Sequence, residues 1–207
     1  KFDALTYFIE AAHKRGIKVY AYLAALYGTS SPISLPGNIA HDHPEWLAKG
    51  PDANMPRFPD PANPQVAEYV VRMYTELATR YKLDGVGLDY IRYPTPNSFN
   101  YDENNRSQIK QRYGFDIQEG GDLWNSPDKW AKIREYRVEK VAHVVQSVHD
   151  AVKKARPDIT LIACLVSDPD EARDGYAQNW PNSSKWLDYA MPMNYDDTSL
   201  REPLLVR

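Results

Sequence analysis

The chain has 207 residues, with 25 Lys+Arg against 28 Asp+Glu and a formal net charge of −3, a size that suits one domain of ordinary dimensions. With 43% hydrophobic and 12% aromatic residues it has the material for a core, which excludes general disorder, and the balanced charge gives no basic footprint for nucleic acid. No stretch reaches the roughly 18 apolar residues of a membrane span, no signal-peptide pattern occupies the first 20 residues, and the single Cys164 rules out an internal disulfide.

Phe2, Leu5, Ile9 and Ala12 recur at helical spacing and predict a helix that stops before Gly16 as a C-cap. The apolar run 17–24 follows as a strand. Asn63 as N-cap and Pro64 at the first helical position open a second helix, with the stripe Val66, Val70, Met73 and Leu77. Residues 85–91 read as the second strand. Ser126-Pro127 opens a third helix, marked by Val141, Val144, Val145, Val148 and Val152, and 159–166 is the third strand, with Cys164 as a small buried hydrophobe. A turn of helix around 183–187 leads into a fourth strand, 188–195. Alternating helices and strands predict a parallel α/β sheet, and the uninterrupted apolar character of the strands fits cover on both faces.

Loop lengths are asymmetric. Helix-to-strand connections are tight, whereas the strand-to-helix connections, about 25–62, 92–125 and 167–182, are long. In a parallel α/β fold these all leave the carboxyl ends of the strands, the face that carries the ligand site. They hold Tyr27, Trp46, Phe58, Tyr93, Phe99, Tyr101, Tyr113, Phe115, Trp124, Tyr176 and Trp180. Such rings can cover the flat apolar face of a sugar while polar side chains bond its hydroxyls; the alternative is that they form small cores that hold the loops together.

The sharpest local signal is Leu83-Asp84-Gly85-Val86-Gly87-Leu88-Asp89-Tyr90-Ile91-Arg92-Tyr93-Pro94. Strand alternation puts Val86 and Leu88 on one face and Gly87, Asp89 and Ile91 on the other. In a barrel Asp89 then points inward near the carboxyl end, where a carboxylate needs a partner, and Arg92 is the obvious candidate. The segment resembles the fourth strand of the glycosyl-hydrolase-like family 10 proteins, a bacterial group with a (β/α)8 TIM barrel. Phe8-Ile9-Glu10-Ala11-Ala12-His13-Lys14-Arg15-Gly16-Ile17-Lys18-Val19 is similar to that family's helix and third strand. His43-Pro44-Glu45-Trp46-Leu47 and Asp60-Pro61-Ala62-Asn63-Pro64-Gln65-Val66 resemble signatures of its long third loop. Leu187-Asp188-Tyr189-Ala190-Met191-Pro192-Met193-Asn194-Tyr195 resembles its sixth strand.

The resemblance covers nearly the whole chain and implies a glycosidase using paired carboxylates on a polysaccharide, with bacterial cell-wall glycan a serious candidate, no cofactor, and a secreted or envelope location. Many members carry two adjacent acids at the end of the fourth strand. Here Tyr90 follows Asp89, so the second carboxylate is open, and Asp196 in Asn194-Tyr195-Asp196-Asp197 is the candidate. Tyr22, Trp46, Arg92, Tyr93, Asp168, Asn194 and Tyr195 are the expected substrate contacts. Asp168 and Asp170 also read as turn residues, as does Asp60 between two prolines. His41-Asp42-His43 hints at a metal, but three residues in sequence rarely complete a site, and none is expected. No phosphate loop or nucleophile elbow occurs. A non-catalytic carbohydrate-binding barrel and a metal-dependent polysaccharide deacetylase are the competing functions. A (β/α)8 barrel needs eight strands and about 250 residues. Only four strands are readable, so residues 1–207 are expected to be part of a longer chain, a partial barrel of strands three to six. Exposed edges and an apolar interior would favour self-association.

Overall fold

A computed structural model describes residues 2–28, 39–49, 58–94, 101–117 and 126–195. The first helix, α1 (Ala4–His13), is capped by Asp3, whose carboxylate accepts the N–H groups of Leu5 and Thr6. It ends at Gly16, whose φ of +70° is left-handed and favours glycine. Strand β1 (Tyr20–Ala24) follows, then the short α2 (Ile39–Asp42), a 3₁₀ turn at Pro44–Trp46, and α3 (Pro64–Arg80), opened by the Asn63 cap and Pro64 as expected. After β2 (Gly85–Asp89) come α4 (Glu103–Tyr113), α5 (Pro127–Ala155), β3 (Thr160–Val166), α6 (Pro169–Tyr176), α7 (Trp180–Ser183) and β4 (Tyr189–Met193).

The four strands form one sheet in the order β1-β2-β3-β4, parallel throughout, which is an open segment of a (β/α) barrel. The strands are shorter than the apolar runs: residues 17–19, 90–91 and 194–195 lie beyond the pairing. The helical segments α2, α4 and α6 fall within stretches expected as loops, and α7 (Trp180–Ser183) lies mostly in one of them, ending where the turn of helix at 183–187 was expected to begin. α4 has a nearly all-polar sequence with Ile109 as its buried apolar anchor, so it shows no stripe; the Asp102 cap and Gly114 at φ +77° define it instead.

One face of the sheet is the core. Val86 and Leu88 of β2 and Leu161, Ala163 and Leu165 of β3 pack against Val66, Val70 and Tyr74 of α3 and Val141, Val145, Val148 and Val152 of α5. The other face carries Tyr20, Tyr22, Ile162, Tyr189 and Met191. Here Tyr22, Tyr189 and Met191 are 46%, 65% and 47% exposed. This is the side a closed barrel turns inward. A second, smaller core gathers Ala62, Ile109, Ile117, Ile133 and Tyr136 under Tyr101, Tyr113, Phe115 and Trp130, so three of the loop aromatics stabilise loops. Among the described residues no helix is long and apolar enough to cross a membrane.

The amino ends of the strands are clamped by two aspartates. Asp84 accepts the Val19 N–H at 2.7 Å and the His13 Nε2 at 2.9 Å. Asp188 accepts the Leu161 N–H and the Lys153 ammonium, each at 2.7 Å. Each carboxylate ties its own strand's entrance to the strand before it.

Candidate active site

Asp89 is the last residue of β2 and the only acid in the four strands. Alternation puts it on the inner face, in line with Gly85 and Gly87, at the carboxyl end where barrel enzymes hold their chemistry. Its Oδ1 accepts the N–H of Tyr90 at 2.7 Å, which fixes the carboxylate against its own chain. The expected ion pair with Arg92 is not formed. Tyr90 turns the backbone at φ +47°, and the Arg92 guanidinium lies over the Tyr90 ring at 5.1 Å and the Tyr176 ring at 4.9 Å. Spacing along an ideal strand predicted that pair; a left-handed residue between the two removed it.

Tyr22 lies beside this carboxylate. The register sets Tyr22 opposite Gly87 and Ala24 opposite Asp89. With no side chain at 87, the Tyr22 ring crosses β2: a Cβ there would sit 2.7 Å from Tyr22 Cδ2 and 3.2 Å from Ile162 Cγ1. The Tyr22 hydroxyl reaches β3 and donates to the Cys164 sulfur. Burial first, and then the Cys164 bond, raise the Tyr22 phenol far above its usual value, although the ring itself is half exposed; the covered part is the hydroxyl end. Burial likewise raises the Cys164 thiol, the Tyr22 bond opposes this, and the charge of Asp89 adds to the rise. Tyr195, 84% exposed, also acts on Tyr22 through space. The structure thus gathers Asp89, Tyr22, Cys164 and Tyr195 at one end of the inner face.

The other expected residues are placed differently. Trp46 is 6% exposed, stacked on His43 at 3.8 Å with Tyr69 edge-on. Tyr93 is 1% exposed and donates to Asp60. Both rings stand inside the loops rather than on the rim. Asp168 caps α6 by accepting the N–H groups of Asp170 and Glu171, its turn reading. Asn194 is exposed beyond β4. Asp196, Phe99 and Trp124 lie outside the described residues. His41 bonds Asp42, and His43 bonds Glu45; no group of three or more His, Cys, Asp or Glu able to hold a metal forms among the described residues.

Sequence reasoning missed several residues that shape this end. Gln178, 1% exposed, accepts the Val166 N–H and donates to the carbonyls of Cys164 and Ile91, which pins β3 to the end of β2. Asp60 is buried in a network with Asn105, Tyr93 and the Ala62 N–H. Burial, reinforced by Asp102, pushes its carboxyl up to about 6, against the pull of those three bonds. Arg137, also buried, lies over Tyr93 and Trp130, and burial lowers it to about 10. An Asp flanked by prolines carries a sequence signal for a turn but none for burial.

This geometry matches known proteins. The glycoside hydrolase domain of PgaB (BpsB) from Bordetella bronchiseptica superposes with a TM-score of 0.68 at 15% identity, over 93% of this chain and 54% of that one. A β-galactosidase from Bacillus circulans sp. alkalophilus gives 0.62 at 16% identity, over 94% and 33%; at such identities these likenesses establish the fold, a TIM barrel. In sequence, the chain is 24% identical to the glycosyl hydrolase DigH of Escherichia coli K12 over 94% of its own length and 46% of that protein's. It is 23% identical to the glycosyl hydrolase YngK of Bacillus subtilis over 75% and 28%. The chain therefore spans about half the length, or less, of the curated relatives it matches. The family model described as glycosyl hydrolase-like 10 matches residues 1–197, which takes in all four strands, the amino-end clamps and Asp89, and the chain belongs to that family.

Proposed function

We propose that this chain forms part of the catalytic barrel of a glycoside hydrolase that cleaves an O-glycosidic bond in a polysaccharide, with bacterial cell-wall glycan as the first substrate to test and a secreted or envelope location. The observation that carries the reading is Asp89: a strand-borne carboxylate on the inner face at the carboxyl end, bonded to its own backbone neighbour and, among the described residues, to no cation. Its remaining acceptor positions are open to a substrate. Tyr22 beside it offers a ring face to a sugar.

In this reading Asp89 supplies one carboxylate and Asp196, three positions after the last residue of β4 in the sequence, the other. Their separation sets the outcome: about 5–5.5 Å makes one of them a nucleophile and retains configuration, and about 6.5–9.5 Å leaves room for a water and inverts it. A panel of polysaccharides that includes de-peptidated cell-wall strands, assayed for new reducing ends, tests the function. Release by the unsubstituted protein that vanishes in Asp89→Asn supports it. Binding without release by the unsubstituted protein transfers the assignment to a carbohydrate-binding barrel.

A further inference from the structure

The ladder between β2 and β3 stops one bond short. Thr160, paired with Gly85, donates its N–H to the carbonyl of Asp84, one residue before that partner, and a parallel ladder repeats this step at even spacing along both strands. Carried past its last pair, Leu88 with Ala163, the pattern assigns the Tyr90 N–H to the Cys164 carbonyl. Neither group keeps that bond. The Tyr90 N–H goes to Oδ1 of Asp89 at 2.7 Å, and the Cys164 carbonyl accepts the Nε2–H of Gln178 at 3.0 Å. The same amide nitrogen donates to the Ile91 carbonyl at 3.3 Å, just beyond the left-handed Tyr90, and Oε1 accepts the Val166 N–H at 2.8 Å. Gln178, 1% exposed, thus fills the place in the ladder that β2 leaves.

Cys164 is 3% exposed, and a buried carbonyl without a donor is costly. Without Gln178 this one would take the N–H that the register offers it, that of Tyr90. We propose that Gln178 is a positioning residue for Asp89: by satisfying β3 it releases the Tyr90 N–H to the carboxylate. The bond engages Oδ1 and orients the group, so Oδ2, which no described residue bonds, is the oxygen presented to a glycan. The reaction at Oδ2 rests on the hydrolase reading above; the exchange of bonds does not. A clamp that only held register would cost stability when removed and leave the carboxylate oriented as before.

Gln178→Met keeps the length of the side chain and removes both its donor and its acceptor; Gln178→Asn, too short to reach both strands, repeats the test should Gln178→Met not fold. NMR scalar couplings across hydrogen bonds read the exchange without a glycan. The Tyr90 nitrogen should couple to the Asp89 carboxyl carbon in the unsubstituted protein and to the Cys164 carbonyl carbon in the variant. On de-peptidated cell-wall strands kcat should fall about 10- to 100-fold, the factor that one hydrogen bond to a charged group corresponds to, with KM little changed. An ester in place of the amide between Asp89 and Tyr90 removes that N–H alone. It should lower kcat as far, and Gln178→Met should then add nothing, whereas a register clamp acts independently and adds its own loss. Unaltered couplings, a kcat that falls only with the folded fraction, full turnover in the ester, or additive losses each overturn the proposal. If the unsubstituted protein cleaves none of these strands, the hydrolase reading fails on them, and the couplings alone decide whether Gln178 sets the bond at Asp89.

Discussion

Gly87→Ala isolates the contact between Tyr22 and the strand that carries Asp89. The new Cβ would lie 2.7 Å from Tyr22 Cδ2 and 3.2 Å from Ile162 Cγ1, so something must move. Ile162 is 8% exposed and packed, whereas the Tyr22 ring is open on the barrel side; the ring moves. Overpacking costs about 1–3 kcal/mol, and the mobility of Tyr22 sets this case at the low end. The loss of the Tyr22–Cys164 hydrogen bond adds about 0.5–1.5 kcal/mol, and the reduced entropy of the unfolded chain offsets about 0.4–1 kcal/mol. The net destabilisation is about 1–2 kcal/mol, a fall in Tm of roughly 2–8 °C for a chain of this size.

Function should suffer more than folding. A tilted ring no longer offers its face beside Asp89, so glycan affinity should fall while the protein stays folded. The double variant Tyr22→Ala/Gly87→Ala removes the clash, and its stability should equal that of Tyr22→Ala alone to within about 0.5 kcal/mol. Thermal unfolding and glycan titration on the four proteins of the cycle check this. If Gly87→Ala keeps wild-type Tm and affinity, or if its cost persists in the Tyr22→Ala background, glycine at 87 does not exist to admit the ring and the argument fails.

Gly85→Ala should be more damaging, because its Cβ would overlap the Tyr20 ring and lie 2.8 Å from the Thr160 carbonyl, which is backbone and cannot turn aside; a loss of about 3 kcal/mol in urea unfolding is expected. Asp89→Asn should unfold within about 1 kcal/mol of wild type, since no ion pair is broken and the amide oxygen can still accept the Tyr90 N–H, while glycan turnover falls by several orders of magnitude. A folded, fully active Asp89→Asn would remove Asp89 from the chemistry. Asp60 makes stability depend on pH. Its folded value near 6 lies above the unfolded value near 3.9, so the native state holds the extra proton between them. That contribution is complete below pH 4 and is lost as pH rises to 6, on the order of 2–3 kcal/mol. Asp60→Asn should flatten that part of the curve of Tm against pH, and parallel curves would refute the assignment.

The fold was legible where a single period decides it. The stripes of α3 and α5 and the four apolar runs place the core, and Asn63-Pro64 marks the start of α3 to the residue. The inward direction of Asp89 follows from alternation alone. What could not be read depends on cross-chain geometry. The clamping roles of Asp84 and Asp188 require knowing which strand lies alongside. The Asp89–Arg92 pair failed on one positive φ at Tyr90. Trp46 and Tyr93 were expected on the rim because loops are exposed as a rule, and they are buried because these loops fold back and add both rings to the main core.

The two ends of the sheet use carboxylates in opposite ways. At the amino end Asp84 and Asp188 each take a backbone N–H from the neighbouring strand and a side-chain partner, His13 and Lys153. They hold register, each through its Oδ2. At the carboxyl end register is held by a neutral group, the Gln178 amide, which bonds Cys164 and Val166 of β3 and Ile91, two residues past β2, without a charge. A clamping carboxylate there would repel Asp89 at close range and compete for any cation. Because Gln178 does the work, Asp89 keeps acceptor positions that none of the described residues fills. Gln178→Glu would put a second negative charge against the end of β2 and replace two N–H donors with acceptors facing carbonyls. It should therefore destabilise the carboxyl end by about 3 kcal/mol or more. Hydrogen exchange should report the loss at the last turns of β2 and β3 and leave the Asp84 and Asp188 clamps protected; uniform loosening of both ends would contradict this division.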